Sequence, residues 1–276
     1  MMINRSLLKF HETFQPESAY LAKILDLASQ SYSGTKFEIS DITGIPTGKQ
    51  KGKVEPHIKY ASYMGLVDYN VDKGVYHLSL TELGNEVFVQ DKFLHETLTQ
   101  WICHYEISRK DVGAPQWAYI VHNGHSGYYQ YNSSSYHLDK ANALFSTDID
   151  FEEMFGVVKR SYTDGFFSGI NYLKWEDSVE YIEHSENPEL VFVYAFAILD
   201  SWKRMFPQKS EITITELLEV IEFGKIFNVN EEEVDGILDS LCNEGLLRLN
   251  RQLYPPTVIA TANSDEVICN LYNRLL

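Results

Sequence analysis

No apolar run in this chain reaches the length of a membrane span. The longest, Leu190–Leu199, has ten residues, about half of the ~20 that a spanning helix needs. The opening MMINRSLLKFHETF lacks the apolar core and small-residue cleavage site of a secretion signal. Cysteine is scarce: Cys103, Cys242 and Cys269 lie far apart, show no CxxC spacing and leave at least one thiol over. These absences give the expectation of a cytoplasmic protein with reduced thiols and no membrane partner. Positive charge is also in deficit. The chain carries 23 Lys and Arg against 39 Asp and Glu, a formal net charge of -16, so on average it repels nucleic acid.

The usual signatures of catalysis are missing too. Gly44 and Gly48 have three residues between them where a P-loop needs four, and Lys49 is followed by Gln50 rather than Ser or Thr. There is no GxSxG elbow and no dinucleotide fingerprint. His95-Glu96 lacks the second histidine of HExxH, since Thr99 stands there, and His122-x-x-His125 and Cys103-His104 have no second regular pair to complete a zinc site. His11-Glu12, ahead of the first long helix, reads as a pin for the N-terminal arm rather than a catalytic pair. No catalytic residue, cofactor or metal is expected, and the chain reads as non-enzymatic.

What is present is concentrated between Asp41 and Phe88. A short helix starts at Ser40–Asp41, and Thr43–Gly52 is a glycine-punctuated turn. A second helix carries Ile58, Ala61, Tyr63 and Met64 and ends at Gly65. Leu66–Tyr69 and Val75–Leu80 read as strands joined by Val71-Asp72-Lys73-Gly74. With Glu17–Ser31 as a preceding helix and Phe37–Ile39 as a short first strand, the order is that of a winged helix. Its charge departs from that of the whole chain. From Lys49 to Lys59 there are four lysines, Lys49, Lys51, Lys53 and Lys59, against the single acid Glu55, a local net of +3. Lysines spaced by small residues at a helix start suit phosphate contacts. His57 is then expected to face a DNA groove and Lys73, in the wing, to touch backbone. The competing reading is a solvated lysine-rich loop.

Beyond Asp91, the stretch 91–109 is amphipathic and 114–123 continues the packing as a helix. Gly124–Tyr136 is loop-like, and Asp148–Tyr162, Trp175–His184 and Leu190–Phe206 read as helices. Trp117, Tyr119, Tyr128, Tyr129 and Tyr131 suit helical packing with a sticky loop better than stacking on bases. Ile212–Ile214 reads as a strand and Thr215–Glu222 as a helix. Asn230 caps a helix over Glu231–Glu244, and Leu246–Leu249 with Leu253–Val258 form a hairpin. That is a second winged-helix-like order. Its helix carries Glu231, Glu232, Glu233, Asp235, Asp239 and Glu244 with no lysine or arginine, which suits protein docking and repels phosphate. The fold class is therefore mainly α with small β-hairpins (α+β). It divides into an N-terminal winged helix over 1–90, a helical middle section over 91–206 and an acidic winged-helix-like module over 207–276.

Lys9-Phe10-His11-Glu12-Thr13-Phe14, Thr43–Val67, Leu80–Phe88 and Asp91–Arg109 into Trp117–Asn123 together resemble an uncharacterised bacterial family. It is catalogued as domain of unknown function number four thousand and seven. The resemblance implies gene neighbourhoods of DNA phosphorothioation and phage defence, and it brings no catalytic residues with it. The expectation is a DNA-binding subunit of such a system, with double-stranded DNA and a protein of the same complex as partners. The alternatives are a protein-interaction scaffold that ignores DNA, and a transcription regulator.

Overall fold

A computed structural model describes residues 5–124, 131–252 and 254–275. Their contacts gather into two units, 1–181 and 182–276, where the sequence suggested three segments.

The first unit opens with a short helix α1 (Arg5–Leu8) and the helix α2 (Ser18–Ser29). In α2, Leu21, Ile24, Leu25 and Ala28 fall at three- and four-residue steps and are buried as one stripe. Strand β1 (Ser33–Thr35) leads directly into α3 (Lys36–Thr43), followed by α4 (Val54–Tyr63). Phe37 and Ile39 therefore lie in a helix, not in the expected strand. The cause is a capping box: the Thr35 hydroxyl accepts from the Glu38 amide, and the Glu38 carboxylate accepts from the Thr35 amide. This starts the helix at Lys36, well before Ser40.

Strands β2 (Val67–Asp72) and β3 (Val75–Leu80) form a hairpin, and β1 adds to β3, giving an antiparallel sheet ordered β1-β3-β2. The hairpin loop is only Lys73-Gly74, with φ of 49° and 82°, as a tight two-residue turn requires. Helix α5 (Glu82–Gln90) follows, capped by Thr81, whose hydroxyl accepts from the Gly84 amide at 2.8 Å and donates to the Gly65 carbonyl at 2.5 Å.

The remainder of this unit comprises α6 (Thr97–Ile107), α7 (Pro115–Ala118) widening into a π-helical turn at Tyr119–Asn123, β4 (Tyr131–Ser133), α8 (Ser134–Phe145), α9 (Val157–Thr163), β5 (Leu173–Trp175) and β6 (Ser178–Tyr181). The last three strands make a second antiparallel sheet, ordered β4-β6-β5. Trp175–His184 is thus not the helix expected. Leu173 and Trp175, then Val179 and Tyr181, are buried at alternate positions across a turn at Glu176-Asp177, the period of a strand. In the segment expected to be a loop, residues 131–136 are strand and helix, and 125–130 lie outside the described residues.

The second unit holds α10 (Val191–Met205), β7 (Glu211–Thr213), a π-helical turn at Glu216–Ile221, α11 (Phe223–Phe227), α12 (Glu231–Asn243), β8 (Leu247–Asn250), β9 (Thr257–Ala260) and α13 (Ser264–Ile268). Its sheet is ordered β7-β9-β8, so helix order and strand order repeat those around α4. Asn230 caps α12 by accepting from the Glu233 amide at 3.0 Å, as its sequence position predicts. The returning strand starts at Thr257, four residues later than the expected Leu253.

Buried histidines make this fold acid-sensitive, among them His11 and His57. Burial, with the Arg160 charge nearby, pushes His11 from 6.5 down to about 4. Burial likewise pushes His57 down to about 4, against the opposing pull of the Lys53 carbonyl and the Glu17 carboxylate. Both are neutral in either state at pH 7. Between pH 6.5 and 4 the unfolded chain binds protons that the folded chain refuses, so stability falls as pH falls through that window. Each histidine contributes up to ~1.4 kcal/mol per pH unit. Denaturant unfolding at a series of pH values should show this loss, and the slope should shrink in His57→Gln. A flat profile down to pH 4 would contradict it.

Candidate nucleic-acid interface

The basic turn is built between two fixed ends. Gly44 ends α3 at φ 69°, Ile45 is fully buried, and the Lys53 amide closes the loop by donating to the Pro46 carbonyl at 2.7 Å. A third anchor comes from far along the chain: the Gly52 amide donates to the Glu12 carboxylate at 3.1 Å. Glu12 and Thr13 sit at φ 48° and 79°, an uncommon backbone held by the Thr13 amide donating to His11 Nδ1 at 3.1 Å. The His11-Glu12 pair thus ties the N-terminal arm to the turn.

The tip of this turn presents Lys49, Gln50 and Lys51 to solvent. Among the described residues neither lysine makes an ion pair. Lys73 stands exposed at the hairpin loop, and Lys59 lies half-buried on α4. Lys53 is different: its ammonium is 2.7 Å from the Glu17 carboxylate and lies 5.0 Å and 5.5 Å from the ring centres of Tyr20 and Phe14, so its charge is already engaged. Glu55, the single acid here, accepts from Lys36 Nζ at 2.7 Å and from the Tyr76 hydroxyl at 2.5 Å. Burial raises its pKa, but those two donors and the charges of Lys36 and Lys59 outweigh that and lower it.

His57 does not face a groove. It is 0 % exposed, its Nδ1 donates to the Lys53 carbonyl at 2.6 Å and its Nε2 accepts from the Glu17 amide at 3.2 Å. The signal was in the sequence. Val54, His57, Ile58 and Ala61 share one stripe at helical spacing, and all four are buried. The opposite flank of α4 is covered as well. Tyr60 is fully buried against Phe10 and Trp117, with ring centres 5.0 Å and 5.9 Å away, and donates to the Phe14 carbonyl at 2.9 Å. None of the ten residues of α4 is classed as exposed; only Glu55, Lys59, Ser62 and Tyr63 are partly accessible. A helix packed in this way lacks the broad free face that lies in a major groove.

In the second unit, the acids of α12 and its C-terminal cap residue Glu244 divide. Glu233 accepts from the Glu186 amide at 2.6 Å, Asp239 pairs with Arg251 at 2.7 Å and Glu244 pairs with Arg274. Glu231, Glu232 and Asp235 are exposed, two of them in the first turn, where the helix dipole favours negative charge. Among the described residues no three His, Cys, Asp or Glu side chains gather as a metal site. His122 Nε2 donates to the Ser108 carbonyl at 3.0 Å, and His125 lies outside the described residues. Trp117 and Tyr119 are buried; Tyr128, Tyr129 and the Tyr131 side chain lie outside the described residues.

The chain is thus an α+β protein with small antiparallel sheets and a lysine turn tethered at three points. Residues 9–142 match the family described as protein of unknown function (DUF4007), the family the sequence resembles. No curated protein matches the chain. Two solved structures share its fold. Magnesium ion-bound SspB aligns with a TM-score of 0.75 at 15% identity, covering 97% of this chain and 88% of that one. A second SspB crystal structure aligns with a TM-score of 0.74 at 16% identity, with the same coverage.

Proposed function

We propose that this chain is a DNA-facing subunit of a bacterial phosphorothioation-type DNA-modification or phage-defence system. The family match and the fold shared with SspB, a phosphorothioation-system protein, support that setting. The DNA-facing part rests on one observation: Lys49 and Lys51 are exposed and, among the described residues, make no ion pair, on a turn whose backbone is tethered at Pro46, Lys53 and Glu12. Rigid, unneutralised lysines at a helix start suit phosphates. The order α2, β1, α3, α4, β2, β3 with strand order β1-β3-β2 supports a winged helix, in which Lys73 occupies the wing. Because α4 is packed on both flanks, contact runs through the turn, Lys59 and the wing rather than through an inserted helix.

In this reading the chain holds duplex DNA and a partner protein supplies the chemistry. Glu231, Glu232 and Asp235 of α12 form a docking face for a basic partner surface. A pure scaffold is the second reading, favoured by the net charge of -16 and the covered α4. Incubation with supercoiled plasmid and magnesium tests both parts. Retardation of the plasmid with its supercoiling intact is expected. A folded protein that leaves the plasmid unretarded at low salt would favour the scaffold, and nicking would overturn the non-catalytic assignment.

A further inference from the structure

Among the described residues, most strands that end a sheet are short. Strands β1, β4, β5 and β7 have three residues each and β8 has four. Such brevity is one way a sheet avoids pairing with a foreign chain. Strand β2 is the exception: it runs for six residues, Val67–Asp72, at the edge of the β1-β3-β2 sheet. It pairs with β3 one to one from Val67↔Leu80 to Asp72↔Val75, so no bulge interrupts it, and it contains neither proline nor lysine.

The register fixes which of its main-chain groups are free. Antiparallel pairs alternate between residues that exchange hydrogen bonds and residues that do not. The two-residue turn at Lys73-Gly74 makes Asp72↔Val75 a bonded pair. Two further bonds agree with that phase: the Thr81 amide donates to the Leu66 carbonyl at 3.2 Å, and the Leu78 amide donates away from β2, to the Tyr32 carbonyl at 2.9 Å. Tyr69 and Val71 therefore turn their N–H and C=O groups outward from the sheet. Among the described residues nothing takes these groups up. Tyr69 is partly accessible and Val71 is 49% exposed, so the edge is open to another chain.

Donors and acceptors spaced in this way are completed by a second extended polypeptide. The two faces of β2 specify its side chains. On one face stand Val71, opposite Tyr76, and Tyr69, whose ring centre is 6.2 Å from that of Tyr76; this face offers apolar surface. On the other stand Asp68 and Asp72, both exposed and without an ion pair among the described residues. We infer that β2 is a docking edge for an extended segment of a partner protein in which apolar residues alternate with lysine or arginine. A second copy of this chain does not suit the edge, because each copy carries a net charge of -16 and like charges on neighbouring strands repel. The inference does not rest on the DNA-facing reading. Asp68 and Asp72 repel phosphate, so the strand edge and the lysine turn serve different ligands.

The test titrates the full chain with a labelled peptide of alternating valine and lysine. In antiparallel addition, residues directly opposed share a face and exchange their hydrogen bonds. Valines opposite Tyr69 and Val71 then point their amides at β2, and lysines point theirs away. N-methylation of the valine amides is expected to abolish binding, and N-methylation of the lysine amides to leave it. Replacing Asp68 and Asp72 together by lysine should weaken the valine–lysine peptide roughly tenfold, as the loss of two cross-strand ion pairs, and create affinity for a valine–glutamate peptide. Val71→Pro removes one outward N–H at a position where an edge strand tolerates proline, and should weaken the peptide as well. Equal affinity for the methylated and unmethylated peptides would reduce the interaction to charge attraction and overturn the docking edge. So would a folded wild type that binds none of them at low salt, or an affinity unchanged by the two lysines. Duplex DNA that displaces the peptide, and is itself bound more weakly by Val71→Pro, would assign the edge to DNA instead.

Discussion

Replacing Lys49 and Lys51 together by glutamate is expected to weaken duplex binding roughly a hundredfold at low salt, because attraction to phosphate becomes like-charge repulsion. The slope of log affinity against log salt should flatten by about two units, one for each lost contact. Stability should be unchanged, since both side chains are exposed and make no ion pair within the described residues. Lys53→Glu should behave in the opposite way. It sets a carboxylate beside Glu17, removes the 2.7 Å ion pair and leaves the rings of Phe14 and Tyr20 without their cation. Its main effect is then a lower melting temperature. Affinity titrations and thermal melts of the two variants side by side separate contact from structure. Equal loss of affinity in both, with both fully stable, would contradict the assignment.

Gly84→Ala is expected to cost about 3 kcal/mol, the upper part of the range for overpacking. A Cβ at Gly84 would lie 1.8 Å from the Leu66 carbonyl oxygen, so α5 or the start of β2 must move. Neither moves freely. The Gly84 amide is bound by the Thr81 hydroxyl at 2.8 Å, and the Leu66 carbonyl accepts from the Thr81 amide at 3.2 Å. Thr81→Ala should cost only about 1 kcal/mol, as the loss of one cap. Urea unfolding of both variants checks the ranking. A Gly84→Ala protein as stable as the wild type would show that α5 does not press on Leu66.

Local chemistry was readable from the sequence. Asn230 as a cap, the glycine that ends α4, the Lys73-Gly74 turn and the apolar stripe of α2 all follow from residue types at fixed offsets. Errors arose where a short-range signal was overlooked or a long-range one was needed. The Thr35–Glu38 capping box moved the first strand back to Ser33–Thr35. Alternation at Leu173, Trp175, Val179 and Tyr181 marked a hairpin running into the stretch Trp175–His184 that was expected to be a helix. At His57, a basic neighbourhood outweighed helical spacing, and the spacing was correct. The Glu12–Gly52 tether joins residues 40 positions apart, and the packing of Phe10 and Trp117 on α4 is longer-range still. No pattern within a single segment encodes such contacts.

The most direct test of the DNA-facing turn is the affinity of the full chain for a labelled duplex across a range of salt concentrations. Lys49, Lys51, Lys59 and Lys73 each contribute about 0.9 to the slope if they meet phosphates, so a slope between about -3 and -4 is the predicted result. A folded protein with no measurable affinity at low salt, or an affinity indifferent to salt, would contradict it.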